Sequence, residues 1–571
     1  MPTDAKVVAN APGSIESRLH RILEHFGLRI GMLTVDELGA QPAGEGRRCV
    51  LFASIDAFAA AMRHPTAAHA FSTAHAVYLY ADADREVSER ALRQLDGWAT
   101  VSLENASTGA CSMSISNDLG DLDGPMAGLA VSARPHPQDF VLASHAGIPA
   151  STLLTVNGSP AFVRCELRGV AVFVCTSATM VDIDQPVGAT FFDVKDHFCS
   201  LVPLAMFVTS VLRDSIWRPF EHGACVIVDD PLLKPTYGFC DFGKLLESMN
   251  RYDFTTNVAF IPWNWRRTST SAGEFFRREG RRFSISIHGC DHTASEFGDT
   301  SVEALNAKAS LAQARMQRHE HRTGIAHDAV MVFPQGVFSS QSLGVLSRNG
   351  FMAAVNTEVN PVDPPSDRTL IRDVWDVAIT RYASFPIFTR RYAFHGLENF
   401  AFDILIGKPC LVVSHHEFFK NECADVIDLV RRLNALRCSL TWRSLGDVVR
   451  RSGRRRARDG HAEDIQMYGS QLLVPNPSER PLRVVVSKNE GNPSLVTAVR
   501  GDRGPLEWSV SGDRVVFADT IPAGREASYA MCYAPHTARP QSRPIRLEAS
   551  VAARRILSEF RDEYWQKFVR R

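Results

Sequence analysis

Between residues 221 and 450, short apolar segments alternate with segments of helical periodicity, and this alternation restricts the fold more than any other feature. The apolar segments read ACVIV (224–228), TTNVAFI (255–261), RFSISI (282–287), AVMVF (329–333), MAAVN (352–356) and CLVVS (410–414). Helical patterns follow at 242–252, 302–319 and 423–436. Strands that alternate with helices predict a parallel sheet with crossover helices. We therefore expect a (β/α) barrel, or a related parallel sheet, over this region.

Polar residues with reactive or binding side chains come directly after these predicted strands. They are Asp229, Asp230, Trp263, His288, His292, Gln335 and His415. The carboxyl ends of parallel barrel strands open onto one face, where active sites are built. The sequence therefore predicts a functional site at that face.

The Asp-Asp pair and the two histidines form a donor set suited to a metal. One carboxylate with two neutral imidazoles leaves coordination positions open for water and substrate. The other carboxylate is then available to take a proton from that water. His288 and His292 are four residues apart, so a helix after the strand would put both rings on one face. Asp291, between them, is expected to support or cap the ligands.

Other residues are candidates for proton transfer and substrate contacts. His415 and His416 end the segment CLVVSHH, and one of them is expected to protonate the leaving group. His415 is the first choice because it is nearer the strand end, and His416 is the alternative. Trp263 offers an aromatic face to a sugar ring, with packing in the core or at the rim as the alternative. Further candidates for substrate contacts are Tyr237, Gln335 and Trp375.

The composition excludes some classes of function. The chain has 63 basic and 63 acidic residues, so no overall charge favours nucleic acid or an anionic membrane. No apolar run reaches the ~20 residues of a membrane helix, and the first residues do not resemble a signal peptide. The twelve cysteines are scattered, which is typical of free thiols. We expect a cytoplasmic protein.

At 571 residues the chain is too long for one core. We predict an N-terminal α/β accessory domain over 1–205, the barrel over 221–450, a small β-sandwich over 463–540 and a C-terminal helix over 545–571. Six arginines within 450–458 are expected in a solvated linker or helix end, with contact to an anionic partner as the alternative.

The order of these motifs resembles the NodB-like polysaccharide deacetylases, that is, carbohydrate esterase family 4 and its relatives. The resemblance covers residues 221–450 and implies a distorted (β/α) barrel that removes acetyl groups from glycans with a divalent metal. It further implies that Asp229 is the catalytic base and His415 the late catalytic histidine. The implied metal ligands are Asp230, His288 and His292.

The sequence departs from the family pattern at two places. Gly289 stands where the family has serine or threonine after the first histidine of the motif. The family also places an arginine shortly before the proline of its third motif, where it orients the base, but here Val332 and Phe333 precede Pro334. Arg372 and Arg381 are the candidates to replace that arginine.

These observations predict an α/β protein whose deacetylase barrel is flanked by an N-terminal α/β domain and a C-terminal β-sandwich with a terminal helix. The predicted activity is hydrolysis of an N-acetyl or O-acetyl group on a sugar or glycoconjugate. One divalent metal is expected, Zn²⁺ by default, while Co²⁺, Ni²⁺, Mn²⁺ and Fe²⁺ suit similar ligands. A carbohydrate-binding or scaffold protein and a glycoside hydrolase remain alternatives.

Overall fold

The computed structural model describes residues 4–11, 13–40, 49–144, 148–188, 190–363, 368–458, 461–534 and 545–560. Its centre is a barrel of short parallel strands, which confirms the predicted fold class. In chain order these are β1 (His222–Asp229), β2 (Thr256–Phe260), β3 (Phe283–His288), β4 (Val330–Val332), β5 (Ala353–Asn356), β6 (Ile387–Thr389), β7 (Arg391–Tyr392) and β8 (Cys410–Ser414). The order around the sheet is β6-β5-β4-β3-β2-β1-β8-β7, and Leu440–Trp442 also pairs with β1.

The barrel nearly closes through a strand that changes partner. β6 pairs with β5, and β7 pairs with β8. Only Arg390 separates β6 from β7. The seam of the barrel therefore lies at Arg390. The strand before it, β6, pairs with β5 at one edge of the sheet, and the strand after it, β7, pairs with β8 at the other edge.

Helices cover the outside of the barrel because the strand residues on both faces are apolar and must be buried. These helices are Phe242–Tyr252, Thr270–Arg278, Val302–Thr323, Ser340–Arg348, Ile371–Trp375, Leu397–Leu405, Ala424–Asn434 and Leu445–Arg451. Short 3₁₀ turns follow four strands, at Pro262–Arg266, Pro334–Gly336, Ala393–His395 and His416–Phe419. These turns line the carboxyl-end face of the barrel.

The N-terminal region contains a nine-stranded mixed sheet. Its strands in spatial order are Ile30–Thr34, Asp4–Ala9, Cys49–Ser54, Ala76–Tyr80, Val170–Cys175, Ser159–Leu167, Ala150–Val156, Cys111–Ile115 and Ala130–Ala133. The first five are parallel and the rest antiparallel. Ser102–Asn105 pairs separately with Phe140–Ser144. The helices are Ser14–His25, Val35–Ala40, Ile55–Arg63, Pro65–Ser72, Arg85–Leu92 and Phe198–Val211.

One hydrophobic core joins this region to the barrel. The described residues include one helical stretch, Val194–Val211, that is long and apolar enough to cross a membrane. However, 67% of it is buried inside the protein, as expected of a core helix. Its burial explains why so apolar a segment lies between the two parts of the molecule.

The C-terminal region is a β-sandwich with its own core. One sheet contains, in spatial order, Arg218–Pro219, Arg454–Arg458, Ala462–Gln466, Leu482–Asn489, Arg514–Ile521 and Trp508–Ser511. The other contains Gln471–Pro475, Glu526–Tyr533, Val496–Gly501 and Gly504–Leu506. A helix over Ile545–Phe560 follows, and Glu559 on it binds Lys234 and Arg267 beside the barrel mouth.

The interpretation of the arginine-rich segment as a solvated linker is wrong. Residues Arg454–Arg458 form a strand of the sandwich. Arg454 is buried, binds Asp376 at 2.9 Å and donates a hydrogen bond to the carbonyl of Trp375. Arg456 donates to the carbonyl of Gly27. These arginines therefore connect the sandwich to the barrel and to the N-terminal region.

Candidate active site

Three chain segments bring polar side chains to the carboxyl-end face of the barrel. Asp229 is the last residue of β1 and His288 the last of β3, while His415 directly follows β8. Asp230 has a left-handed backbone, with φ of 79°, so the strand ends abruptly there. This break lets two consecutive carboxylates reach one site, although neighbouring residues of a continuing strand point to opposite faces.

Asp230, His288 and His292 converge on one point. Oδ1 of Asp230 lies 3.0 Å from Nε2 of His292 and 3.3 Å from Nε2 of His288. This oxygen is buried and has no hydrogen-bond partner among the described residues. Burial by itself raises the pKa of Asp230, but the two imidazoles outweigh it and hold that pKa well below its ordinary value.

The hydrogen bond of His288 determines which of its ring nitrogens faces the site. Nδ1 lies 2.9 Å from the carbonyl oxygen of Val332. A carbonyl only accepts, so Nδ1 carries the hydrogen and Nε2 of the neutral ring presents a lone pair toward Asp230. This is the arrangement in which a histidine binds a metal, with its other nitrogen held by a backbone carbonyl.

The loop after β3 is shaped by Glu296, which the sequence patterns did not single out. Its carboxylate accepts hydrogen bonds from the backbone N–H groups of Cys290 (2.8 Å), Asp291 (2.8 Å) and His292 (3.1 Å). The helix that would have put His288 and His292 on one face does not form, because His292 has a left-handed backbone with φ of 57°. The two rings instead meet through this loop, with centroids 4.8 Å apart.

Gly289 is required by the same loop. Its φ is 63°, and a Cβ atom there would lie 2.4 Å from Oε2 of Glu296 and 2.5 Å from Cγ of Pro334. The departure from the family pattern at this position is therefore explained by the close approach of Glu296 and Pro334.

Asp291 supports the loop by binding a neighbouring helix. Arg315, on Val302–Thr323, donates to Oδ1 of Asp291 at 2.6 Å and lies 3.4 Å from Sγ of Cys290. Cys290, Asp291 and Glu296 form a second group of potential metal ligands. Because the Arg315 guanidinium already supplies a positive charge to this group, we assign it a structural role in holding the loop and not a metal-binding role.

Asp229 is bound by an arginine that sequence analysis missed. Arg390 donates two hydrogen bonds of 2.7 Å, one to each carboxylate oxygen, and both side chains are buried. Burial by itself raises the pKa of Asp229, but the charge and hydrogen bonds of Arg390, together with His288 and His415, outweigh this effect and hold the pKa below its ordinary value. Asp229 is therefore an oriented carboxylate at neutral pH.

Neither predicted replacement for the family arginine is the residue that binds Asp229. Arg372 binds Asp184 at 2.8 Å and is half exposed, while Arg381 binds Asp373 at 3.2 Å. Arg390 had a recognisable signal, since it directly follows the apolar segment FPIFT. That segment escaped notice because β6 has only three residues and β7 two.

His415 lies beside Tyr392 at the same face. Their rings are stacked with centroids 6.2 Å apart, and His415 is exposed. His415 is among the groups that lower the pKa of Asp229, after Arg390 and His288. The side chain of His416, the alternative, lies outside the described part of the structure.

The four candidates for substrate contacts occupy different environments. Trp263 is half-buried, and its backbone N–H donates to the carbonyl of Cys290, so its backbone supports the histidine loop. Gln335 is exposed, and its Oε1 accepts from the N–H of Ser295 at 3.4 Å. Tyr237 is only 2% exposed. Trp375 is buried against His25, Phe192 and Phe402, so its prediction as a substrate contact is wrong.

The donor set fits a divalent cation. Two imidazole nitrogens and one carboxylate oxygen lie within 4.8 Å of one another, and a proton or a cation between such donors stabilises the arrangement. One oxygen and two nitrogen donors are typical of catalytic zinc, and several other divalent ions accept the same donors. Asp230, His288 and His292 would hold the ion.

Comparison with known proteins gives structural similarity only. No family model and no curated protein matches the chain. Solved structures similar to it include the novel carbohydrate deacetylase Agd3, at 11% identity and a TM-score of 0.48, covering 93% of this chain and 98% of that one.

Two enzymes of carbohydrate esterase family 4 are also among the similar structures. The esterase from Streptomyces lividans, in complex with acetate, is 12% identical with a TM-score of 0.24, covering 39% of this chain and 92% of that one. The acetyl xylan esterase from Clostridium thermocellum, in complex with a cobalt ion, is 11% identical with a TM-score of 0.25, covering 40% and 89%.

Proposed function

We propose that this protein is a metal-dependent hydrolase that removes an acetyl group from a sugar or glycoconjugate. The observation that carries the proposal is the Asp230–His288–His292 donor set beside the buried Asp229–Arg390 ion pair. Both lie at the barrel face where enzymes of this architecture place their active sites. The motif resemblance supplies the acetylated glycan as substrate class.

Each residue has a chemical role in this proposal. A divalent cation supplies Lewis-acid polarisation and lowers the pKa of water. Asp229 accepts the proton of the attacking water, and Arg390 keeps its carboxylate ionised and aligned. As the bond from the acetyl carbon to nitrogen or oxygen breaks, His415 protonates the departing amine or alcohol, and acetate is released.

The alternatives make different demands on the same residues. The scaffold interpretation was motivated by the missing family arginine, and Arg390 binds the base in its place. A glycoside hydrolase needs two carboxyl groups across the scissile bond and ordinarily no metal. Loss of activity on metal removal therefore separates the proposed hydrolase from a glycoside hydrolase.

The test uses the full chain and the variants Asp229→Asn and His288→Ala, with exposed His321→Ala as a matched control. Metal content is measured by mass spectrometry, and acetate release is measured on acetylated xylan and on N-acetylglucosamine and N-acetylgalactosamine oligomers. We expect about one metal per chain, retained in Asp229→Asn and His321→Ala and lost in His288→Ala. Turnover should fall by about 10³-fold or more in Asp229→Asn. Near-normal turnover in Asp229→Asn, or in metal-free protein, would contradict the proposal.

A further inference from the structure

An exposed aromatic side chain, Phe394, lies close in the chain to the Arg390 that binds Asp229. Phe394 lies four residues after Arg390, in the 3₁₀ turn Ala393–His395 that follows β7. It is 79% exposed, the highest value among the exposed large apolar side chains of the described residues. A single exposed apolar side chain is ordinary on a protein surface. Its position beside the candidate site is what calls for an explanation.

The ring of Phe394 is held in a fixed orientation. It is stacked on Tyr392, with centroids 5.0 Å apart and ring planes 10° apart. The next residue, His395, is buried and stacked on Phe191 at 4.1 Å. One face of Phe394 is thus covered by Tyr392 while the other is open, so binding of a flat ligand costs little side-chain entropy.

Tyr392 connects this surface to the reactive groups. Its ring is also stacked near His415, at 6.2 Å. Burial raises the pKa of the Tyr392 phenol, and the charges of Arg390, Asp229 and Glu358 act on it as well. The ring of Tyr392 therefore links Phe394 to His415 at the barrel mouth.

Glu358 provides a polar group at the same end of the barrel, because it lies two residues after Asn356, whose carbonyl accepts a hydrogen bond from the backbone N–H of Arg390 at 3.0 Å. It follows β5, and no hydrogen bond to its carboxylate occurs among the described residues. Burial raises its pKa. The half-buried carboxylate remains accessible to water, so a ligand hydroxyl can take the place of that water as the hydrogen-bond donor.

We propose that Phe394 and Glu358 form a subsite for a pyranose ring next to the acetyl group that is removed. The open face of Phe394 stacks on the apolar C–H face of the sugar, and Glu358 accepts a hydrogen bond from a ring hydroxyl. This inference rests on the proposed deacetylase function and restricts its substrate to glycans with an exposed apolar ring face. Few polar groups beside an aromatic surface are typical of sites that orient such ligands.

The test compares wild type with Phe394→Ala, Phe394→Trp and Glu358→Gln, with Leu557→Ala as the matched control. Leu557 is also exposed, at 70%, but lies on the C-terminal helix. For each variant kcat/KM is measured on acetylated oligosaccharides and on 4-nitrophenyl acetate, which has no sugar. We expect Phe394→Ala to lower the ratio of kcat/KM for the oligosaccharide to kcat/KM for 4-nitrophenyl acetate about tenfold, mainly through a higher KM for the oligosaccharide. Phe394→Trp should preserve the ratio, Glu358→Gln should lower it by a smaller factor, and Leu557→Ala should not change it.

Binding measurements distinguish failure of this inference from failure of the proposed function. Calorimetry with the same oligosaccharides reports the subsite even when no acetate is released. Binding that weakens about tenfold in Phe394→Ala without any hydrolysis would support the subsite and contradict the deacetylase. Hydrolysis with an unchanged ratio in Phe394→Ala would overturn the subsite and leave the deacetylase intact. An equal fall in kcat/KM on the oligosaccharide and on 4-nitrophenyl acetate in Phe394→Ala would also overturn the subsite, because Phe394 would then support the structure of the whole site.

Discussion

Arg390 and Asp229 are 161 residues apart in the chain and are joined by two parallel hydrogen bonds of 2.7 Å. The pair links the seam of the barrel to the end of its first strand. Both groups are buried, so each depends on the other to remain charged. Removal of either partner leaves an uncompensated charge in the protein, which is strongly destabilising.

Replacement of Arg390 by methionine is therefore expected to lower both activity and stability. The unpaired Asp229 carboxylate should cost about 3 kcal/mol of unfolding free energy and shift toward its protonated form, which cannot act as a base. We expect activity to fall by about 10²-fold or more. Denaturant unfolding measures the first effect and acetate release the second.

A double variant separates charge from packing at this site. Arg390→Met with Asp229→Asn removes both charges and should recover most of the lost stability but none of the activity. Arg372→Met is the matched control, since that half-exposed arginine should contribute below about 1 kcal/mol. Equal stability of wild type and Arg390→Met would show that the pair is not what stabilises this part of the barrel.

The histidine loop provides a second prediction, at Glu296. Glu296→Gln keeps the shape of the side chain but replaces one carboxylate oxygen by an amide group that cannot accept from the backbone N–H groups. The loop should loosen, and metal affinity should fall about 10- to 100-fold, as for other groups that hold ligands in place.

Competition with a chelator of known affinity measures that change. Exposed Glu274→Gln, on the helix Thr270–Arg278, is the control and should bind metal like wild type. If Glu296→Gln bound the metal as tightly as the control, the loop would not depend on this carboxylate.

A third prediction concerns the pH dependence of stability. His25 ends the helix Ser14–His25, lies edge-on to Trp375 at 6.1 Å, and has no hydrogen-bond partner for Nε2 among the described residues. Burial lowers its pKa to about 4, assisted by the positive charge of Arg454 and opposed by Asp376. The unfolded chain, with a histidine pKa of about 6.5, therefore binds a proton at higher pH than the folded protein does.

It follows that stability should decrease as the pH falls from about 6.5 to about 4, by about 3 kcal/mol for this group over the whole range. Unfolding free energies at several pH values should show a shallower acid slope in His25→Gln than in wild type. His69→Gln, at an exposed histidine, should keep the wild-type slope. Parallel slopes in wild type and His25→Gln would mean that His25 is protonated in the folded protein as easily as in the unfolded chain.

Local patterns were sufficient to predict the main architecture. Each strand of the barrel that has four or more residues was recognisable as an apolar segment, because strands buried on both faces must be apolar along their length. The residues at their ends, such as Asp229, His288 and His415, were found by the same pattern. Trp375 was misjudged because an aromatic residue looks the same in sequence whether it faces a pocket or another part of the core.

By itself, the sequence determined the alternation of strands and helices, the sandwich, and the Asp-Asp and histidine motifs, since each depends on residues close together in the chain. Only the tertiary structure decided which arginine binds Asp229, how His288 and His292 meet, and that Phe394 lies beside the site. The physical reason is that these arrangements depend on contacts between distant segments. Arg390 reaches Asp229 only when the strand containing it changes partner and brings the two ends of the sheet together.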